Sequence, residues 1–475
     1  MAATYPVAGG GQYFVLRGLG DIFGFIAGWA VLLDFTIDVT LFAWTSVDYS
    51  SQLLPVLVNS THPWIHFVVV LAVIVGLCLL NVIGVRESTA FNGVISALDV
   101  TSETLILCLG FLFAFRPDLL IHNMTVHWPS THDLMLGTSL AIISFVGLES
   151  ISQAAQETQR PASVIPRTSV ALILTILIYA LAYANLALGL APWHPITDAA
   201  GHAVQFWQIF PGNSDNQGKA VALLAEQVPY YGAFAAFYVP VLGAVLLLIS
   251  SNSGVFGSSR IAYAMSSTKL LPSVFQRVHA KFRTPAISIV FFCGVAILEL
   301  IFAAFPSLYP QSMATYGHIF HGEDGLTFLA DLYAFGAATS YSFVFLALIA
   351  LRMSDPLSPR KFKIPLNIPM RFRGERVEFP VVGVIGFMGI FSILLFTLQT
   401  HPLGRIFGPS WVLVGIVLYF FYRRQKRLPL LHSQKHEWRK AQVEILRDAG
   451  ELELMDEYLA NLKASDERRQ KAGSA

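Results

Sequence analysis

A few acidic residues and one glycine stand inside stretches of the chain that are otherwise apolar, and chemistry would have to happen there. The stretch "IFGFIAGWAVLLDFTIDVTLFAW" carries Asp34 and Asp38. Four residues apart, they share one face of a helix. Two carboxylates on one face repel unless a proton, a cation or a basic group lies between them. The pair is therefore a candidate site for a substrate amine or a coupling ion, with structural pairing to Thr36 or Thr40 as the alternative. Asp99 and Glu103 repeat the spacing further on, and Glu103, the deeper of the two, is a candidate proton acceptor. Glu299 and Asp331 are single acids in later apolar runs, where interhelical hydrogen bonding is the expected role. A charged group at mid-bilayer costs about 2.5–3.5 kcal/mol on insertion scales, so each of these must face a cavity or a partner.

The passage "ISFVGLESISQAAQETQRPASVIPRT" raises a different possibility. It starts apolar, then places Gly147, Glu149 and Ser150 where more Leu and Val would continue a helix. Gly147 lets the backbone unwind, and Glu149 and Ser150 offer partners to the freed groups. Irregular backbone at membrane depth is tolerated only in a protein interior or along a water-filled cavity. Broken helices of this kind present carbonyl oxygens to cations and amides to anions. The expectation is a broken helix at a binding site, the alternative being a short helix that ends early in a polar loop.

The elements that must hold these residues follow from composition. The 475 residues are 55% hydrophobic and 13% charged, with mean hydropathy +0.59. A soluble domain has about a quarter of its residues charged, so most of this surface faces lipid. A net charge of +1 gives no sign of a nucleic-acid partner. A bilayer core takes about 20 apolar residues as a helix. Spans are expected near 22–46, 64–82, 91–115, 134–150, 170–190, 231–250, 285–305, 326–351, 381–398 and 406–422. With the N-terminus in the cytoplasm, cytoplasmic segments hold 28 of the 31 Lys and Arg residues, leaving Arg116, Lys219 and Arg405 outside. Positive residues resist translocation, and this asymmetry sets the orientation. The chain divides into a cytoplasmic segment 1–21, a transmembrane domain 22–422 and a charged cytoplasmic tail 423–475. Both termini of this multi-pass protein are expected inside, in the plasma (cell inner) membrane.

Outside the spans, the loop 191–230 is expected to form a partly helical cap. In the tail, Val443, Leu446, Leu454, Tyr458 and Leu462 suggest an amphipathic helix, read as a solvated tail with a regulatory contact as the alternative. Cys78, Cys108 and Cys293 lack ligand-like spacing. "HIFHGED", His318 to Asp324, is read as chance proximity in an outer loop. No metal or other cofactor is expected, and no HExxH motif or nucleophile–base constellation suggests an enzyme.

Four stretches resemble one family in the right order. "AGGGQYFVLRGLGDIFGFIAGW" is similar to the entry into the third helix of permeases in the amino acid–polyamine–organocation (APC) superfamily. "NVIGVRESTAFN" resembles their loop between helices four and five, and "SFVGLES...AAQETQRPASVIPR" their sixth helix and following loop. "SSNSGVFGSSRIAYAMSSTKLLPSVFQRVHAKFRTP" resembles the end of helix eight and the loop beyond. On this alignment the ten spans correspond to family helices three to twelve, and the chain starts just before the third, apparently lacking the first two.

The resemblance implies an all-α, LeuT-like inverted-repeat transporter fold and secondary transport of amino acids or related amines by alternating access. It implies that the carbonyls of Ile143 and Val146, beside Phe145, face a substrate ammonium. Gly147 would permit the break, and Glu149 would brace it or respond to pH. Asp34, with Tyr333 and Gly336 of the family's tenth helix, would line the pocket, which Asp38 joins on the spacing argument above. Arg260, in an inner loop, would gate or fix the loop. Some proton-coupled relatives carry a lysine in the fifth helix where Thr104 or Ser102 stands here, so that route is not supported, and Glu103 is the substitute candidate for coupling a proton or cation. Lipid and a small-molecule substrate are the expected partners. The competing reading is a non-transporting membrane scaffold or receptor-like protein that keeps the fold.

Overall fold

The computed structural model describes residues 1–7, 9–58, 62–84, 89–148, 150–153, 155, 158–197, 202–210, 214–309, 325–363, 365–372, 375–430, 433, 434 and 436–473. Among them, ten helical segments are long and apolar enough to cross a membrane, one for each expected span. A short α1 (Gly10–Leu19) leads through Gly20 into α2 (Asp21–Ser51), which is followed by α3 (Pro63–Ile83) and α4 (Thr89–Leu109). The last turn of the third span, Gly110–Ala114, is π-helical. Then come α5 (Pro117–Val126), α6 (Thr131–Ala141), the four-residue α7 (Ser150–Gln153) and α8 (Pro161–Gly189). The cap between α8 and the next span is partly helical, with α9 (Ser214–Gln217) and α10 (Ala220–Glu226). The remaining spans are α11 (Gly232–Ser267), α12 (Ala286–Leu308), α13 (Gly325–Ser354), α14 (Val381–Thr400) and α15 (Pro402–Gln425). An antiparallel hairpin, β1 (Asn367–Phe372) and β2 (Glu375–Pro380), joins α13 to α14. The tail forms α16 (Trp438–Asp448) and α17 (Leu452–Gly473).

The bundle is built around α2. Helices in lipid gain little from burying Leu against Leu, so close approach of small residues and interhelical hydrogen bonds carry the packing. At Gly254 and Gly257 on α11, an added Cβ would run into Asp38 and Phe35 of α2. Ser251 Oγ donates to the Val39 carbonyl at 2.8 Å, and Ser46 Oγ to that of Ala244 at 2.9 Å. On another side of α2, Trp29 and Trp411 stack at 4.7 Å. Each indole N–H donates to the other's carbonyl at 2.9 Å.

Two expectations need correction. Arg260 lies inside α11, not in a loop, because the helix runs on to Ser267. The polar run "SSNSGVFGSSR" stays helical, its hydroxyls satisfied by the helix's own carbonyls, Ser253 to Ile249 and Ser259 to Phe256. The guanidinium of Arg260 then lies 3.7 Å over the Phe256 ring, one turn back. The tail is also not a solvated appendage. Leu446, Leu454 and Tyr458 are buried in a cluster with Ala162, at the start of α8. Gln442 accepts from Arg17 at 2.6 Å, and Glu451 accepts from the Ala162 amide at 3.0 Å. Asp21 ties Arg423 (2.7 Å) and the Gln434 amide (3.0 Å) to the head of α2.

Candidate functional site

The fourth span is a broken helix. Regular α-helix stops at Ala141, a 3₁₀ turn covers Ile142–Phe145, and Val146 is extended. Gly147 has φ +92°, a left-handed conformation that costs glycine little and any other residue more. Open space surrounds its Cα where a Cβ would be, so the glycine serves the turn and not a tight contact. The amide of Val146 reaches back to the Ile143 carbonyl (3.2 Å) and that of Ser150 to Gly147 (3.0 Å), in place of an α-helical ladder. A helix end leaves its last carbonyls without intrahelical donors. This end lies inside a membrane span. Glu149 lies outside the described residues, as does the His318–Asp324 segment.

Ile143 and Val146 pack against Ala334, Ala337 and Ala338 of α13, so small side chains form the wall opposite the break. Both also border the cluster that contains Tyr333. Phe145 is half-buried on the same turn.

Tyr333 and Gly336 meet the α2 acids from the α13 side. The Tyr333 hydroxyl donates a short hydrogen bond to Asp38 Oδ1. A Cβ on Gly336 would collide with Asp34 Oδ1, so the glycine makes room for that carboxylate. Thr36 and Thr40 do not serve these acids. Their hydroxyls turn to Glu299 of α12, at 2.7 and 3.4 Å. The interhelical role expected of Glu299 is thus its observed arrangement. Glu103 stands apart from this group. With Asp99, Ser102 and Tyr49 it lines a cavity of about 190 Å³ between α4, α2, α10 and α11.

One constellation was not read from the sequence. His401, at the corner between α14 and α15, bonds through Nδ1 to Asp331 of α13 and through Nε2 to Ser139 Oγ of α6 at 2.5 Å. All three side chains are buried. Ser139 Oγ also lies 2.7 Å from the Leu136 carbonyl. The cluster pins α6, just before its break, to α13 and the α14–α15 corner. The only sequence signal was a histidine at a break between two apolar runs.

Residues 1–422 match the family model described as amino acid permease. The chain belongs to the amino acid permease family. Its relatives include the branched-chain amino acid permease BcaP of Bacillus subtilis, 24% identical, with 89% of this chain and 81% of that one covered. The low-affinity putrescine importer PlaP of Escherichia coli is 26% identical over 64% of this chain and 62% of its own. Among solved structures, a manganese transporter mutant from Eremococcus coleocola aligns over 90% of this chain and 86% of that one, at 14% identity and TM-score 0.41. This permease is a mostly helical, multi-pass membrane protein. It is a secondary transporter of amino acids or related amines, not an enzyme. Nothing in the family match favours the scaffold reading.

Proposed function

We propose that this permease carries neutral or cationic amino acids and related amines, with the substrate ammonium seated at the break in the fourth span. The carrying observation is the Ile142–Gly147 backbone, turned out of α-helix beside open space. Carbonyls of Ile143 and Val146 would receive the ammonium, with Phe145 beside them. The alanine wall of α13 suits an apolar side chain, in line with the branched-chain substrates named for BcaP. Asp34, accommodated beside Gly336, and Asp38, bonded to Tyr333, disfavour an acidic substrate because buried carboxylates repel anions. They suit a second amine, in line with the putrescine named for PlaP.

Glu103, in its own cavity, is the proposed acceptor for a coupling proton, and Arg260 the proposed gating residue. The asymmetry of Lys and Arg supports both termini in the cytoplasm and the plasma (cell inner) membrane as location. The Asp21–Arg423 pair supports their lying at the same end.

The test is uptake of radiolabelled leucine, arginine and putrescine into proteoliposomes with an imposed proton gradient. At least one should accumulate, and Asp34→Asn should lower uptake of the cationic pair more than that of leucine. Specific binding without accumulation of any of the three would favour the scaffold reading, and absence of both would defeat the site.

A further inference from the structure

Where α13 ends, the chain loops through Pro356–Arg360 into the β1–β2 hairpin, and α17 lies alongside. Together they enclose a cleft of about 780 Å³, remote in sequence from the broken helix. Five basic side chains line it, Arg352, Arg360, Lys363, Arg371 and Arg376, against two carboxylates, Glu378 and Glu457.

The carboxylates do not balance them. Glu378 is held by Lys363 Nζ at 2.7 Å and stands 3.6 Å from Arg352 Nη1. Arg352 is 5% exposed, and its Nη1 makes no hydrogen bond. A buried guanidinium N–H without an acceptor is costly unless something supplies one. Arg360 Nη2 donates to the carbonyls of Asp355 (2.8 Å) and Leu351 (3.3 Å), which orient the group without neutralising it.

The hairpin supplies an independent observation. Its register sets Arg371 directly opposite Arg376. Like charges at facing positions destabilise an antiparallel pair, and among the described residues neither arginine has an ion-pair or hydrogen-bond partner. Two facing arginines on the wall of one cleft, with a buried third behind them, form an anion-binding arrangement.

We infer that this cleft binds a phosphate-bearing anion, gripped by Arg371 and Arg376 with Arg352 and Arg360 behind. The planar guanidinium fork matches phosphate oxygens in pairs, which a single ammonium cannot do. The volume lies within the usual range for small-molecule sites, larger than a bare phosphate needs, so the anion is a phosphate ester with a body. That ester is either a lipid headgroup or a soluble molecule. Phe362, Leu366, Ile368 and Met370 stand exposed along this loop and hairpin, which suits a headgroup at the bilayer surface. The inference stands on this geometry and is independent of the substrate reading above.

The test uses the full chain in phosphatidylcholine nanodiscs, with phosphatidylglycerol added to the disc in one arm and pyrophosphate titrated from solution in the other. Thermal melting reads binding. The wild type should melt higher in at least one arm, and the arm that responds names the source. In the double variant R371Q/R376Q the response should weaken by about tenfold or more, as expected for losing two charge-assisted contacts. In phosphatidylcholine alone the variant should melt at or above the wild type, because it loses a repulsive pair. No rise in either arm, an undiminished rise in the variant, or a lower unliganded melting temperature for the variant would each overturn the inference.

Discussion

The first and fourth spans of this membrane domain, α2 and the α6–α7 segment, handle polarity in opposite ways. Helix α2 runs 31 residues without interruption although it carries Asp34, Asp38, Thr36 and Thr40 in its middle. Of its most apolar stretch, 83% is buried in protein, against 12% for Thr131–Gln153. Buried on all sides, its polar side chains meet groups from other helices, Tyr333 at Asp38 and Glu299 at Thr36 and Thr40. The backbone therefore never has to give way. In α6–α7 it is the backbone that departs from helix, at Ile142–Gly147. Side-chain polarity in a bilayer can be absorbed by a well-chosen neighbour. Backbone polarity can be released only by breaking the helix, and here the break falls at a glycine with open space where a Cβ would stand.

This contrast can be broken first at Gly147. Gly147→Leu puts a side chain on a left-handed residue, costing about 1–2 kcal/mol locally and favouring re-formed helix. Uptake in proteoliposomes should fall to background while the protein still elutes as a single species in detergent. Uptake within twofold of wild type would mean that the break does not serve substrate. The next largest effect belongs to the tether above the break. His401→Ala leaves Asp331 buried without its partner, a loss of about 3–5 kcal/mol by analogy with broken buried pairs. Chemical denaturation in detergent should show it, with Ser139→Ala costing far less, and equal costs would refute Asp331 as the dominant partner of His401. The smallest effect is expected in α2. Thr36→Val removes a hydroxyl donor from Glu299 while Thr40 remains, a loss of about 1–3 kcal/mol at most. Transport should persist, and its abolition would move Glu299 from a packing role into the transport cycle.

The spans were legible because runs of about 20 apolar residues have one stable form in lipid, and each expected span has its helix. The break was legible from Gly147 set among Val, Leu and a following acid. Arg260 was misplaced because polar composition was read as loop. In fact the hydroxyls are satisfied by α11's own carbonyls, and Gly254 and Gly257 let the continuing helix pack closely against α2. The tail's apolar stripe was visible at Leu446, Leu454 and Tyr458. Its partner, Ala162, lies almost three hundred positions earlier, and no local pattern links them. The same distance hid Ser139–His401–Asp331, whose members come from three separate spans or corners.

What the amino-acid order determined unaided is membrane residence, the number of crossings, the break at Gly147 and the family, because each depends on local composition or on a contiguous motif. Only the tertiary structure decided which acid meets which hydroxyl, that Asp38 takes Tyr333 while Thr36 takes Glu299, and that two arginines face each other across a hairpin. The physical reason is that a polar side chain in a low-dielectric interior is governed by its nearest donor or acceptor, and in a bundle that neighbour usually comes from another helix.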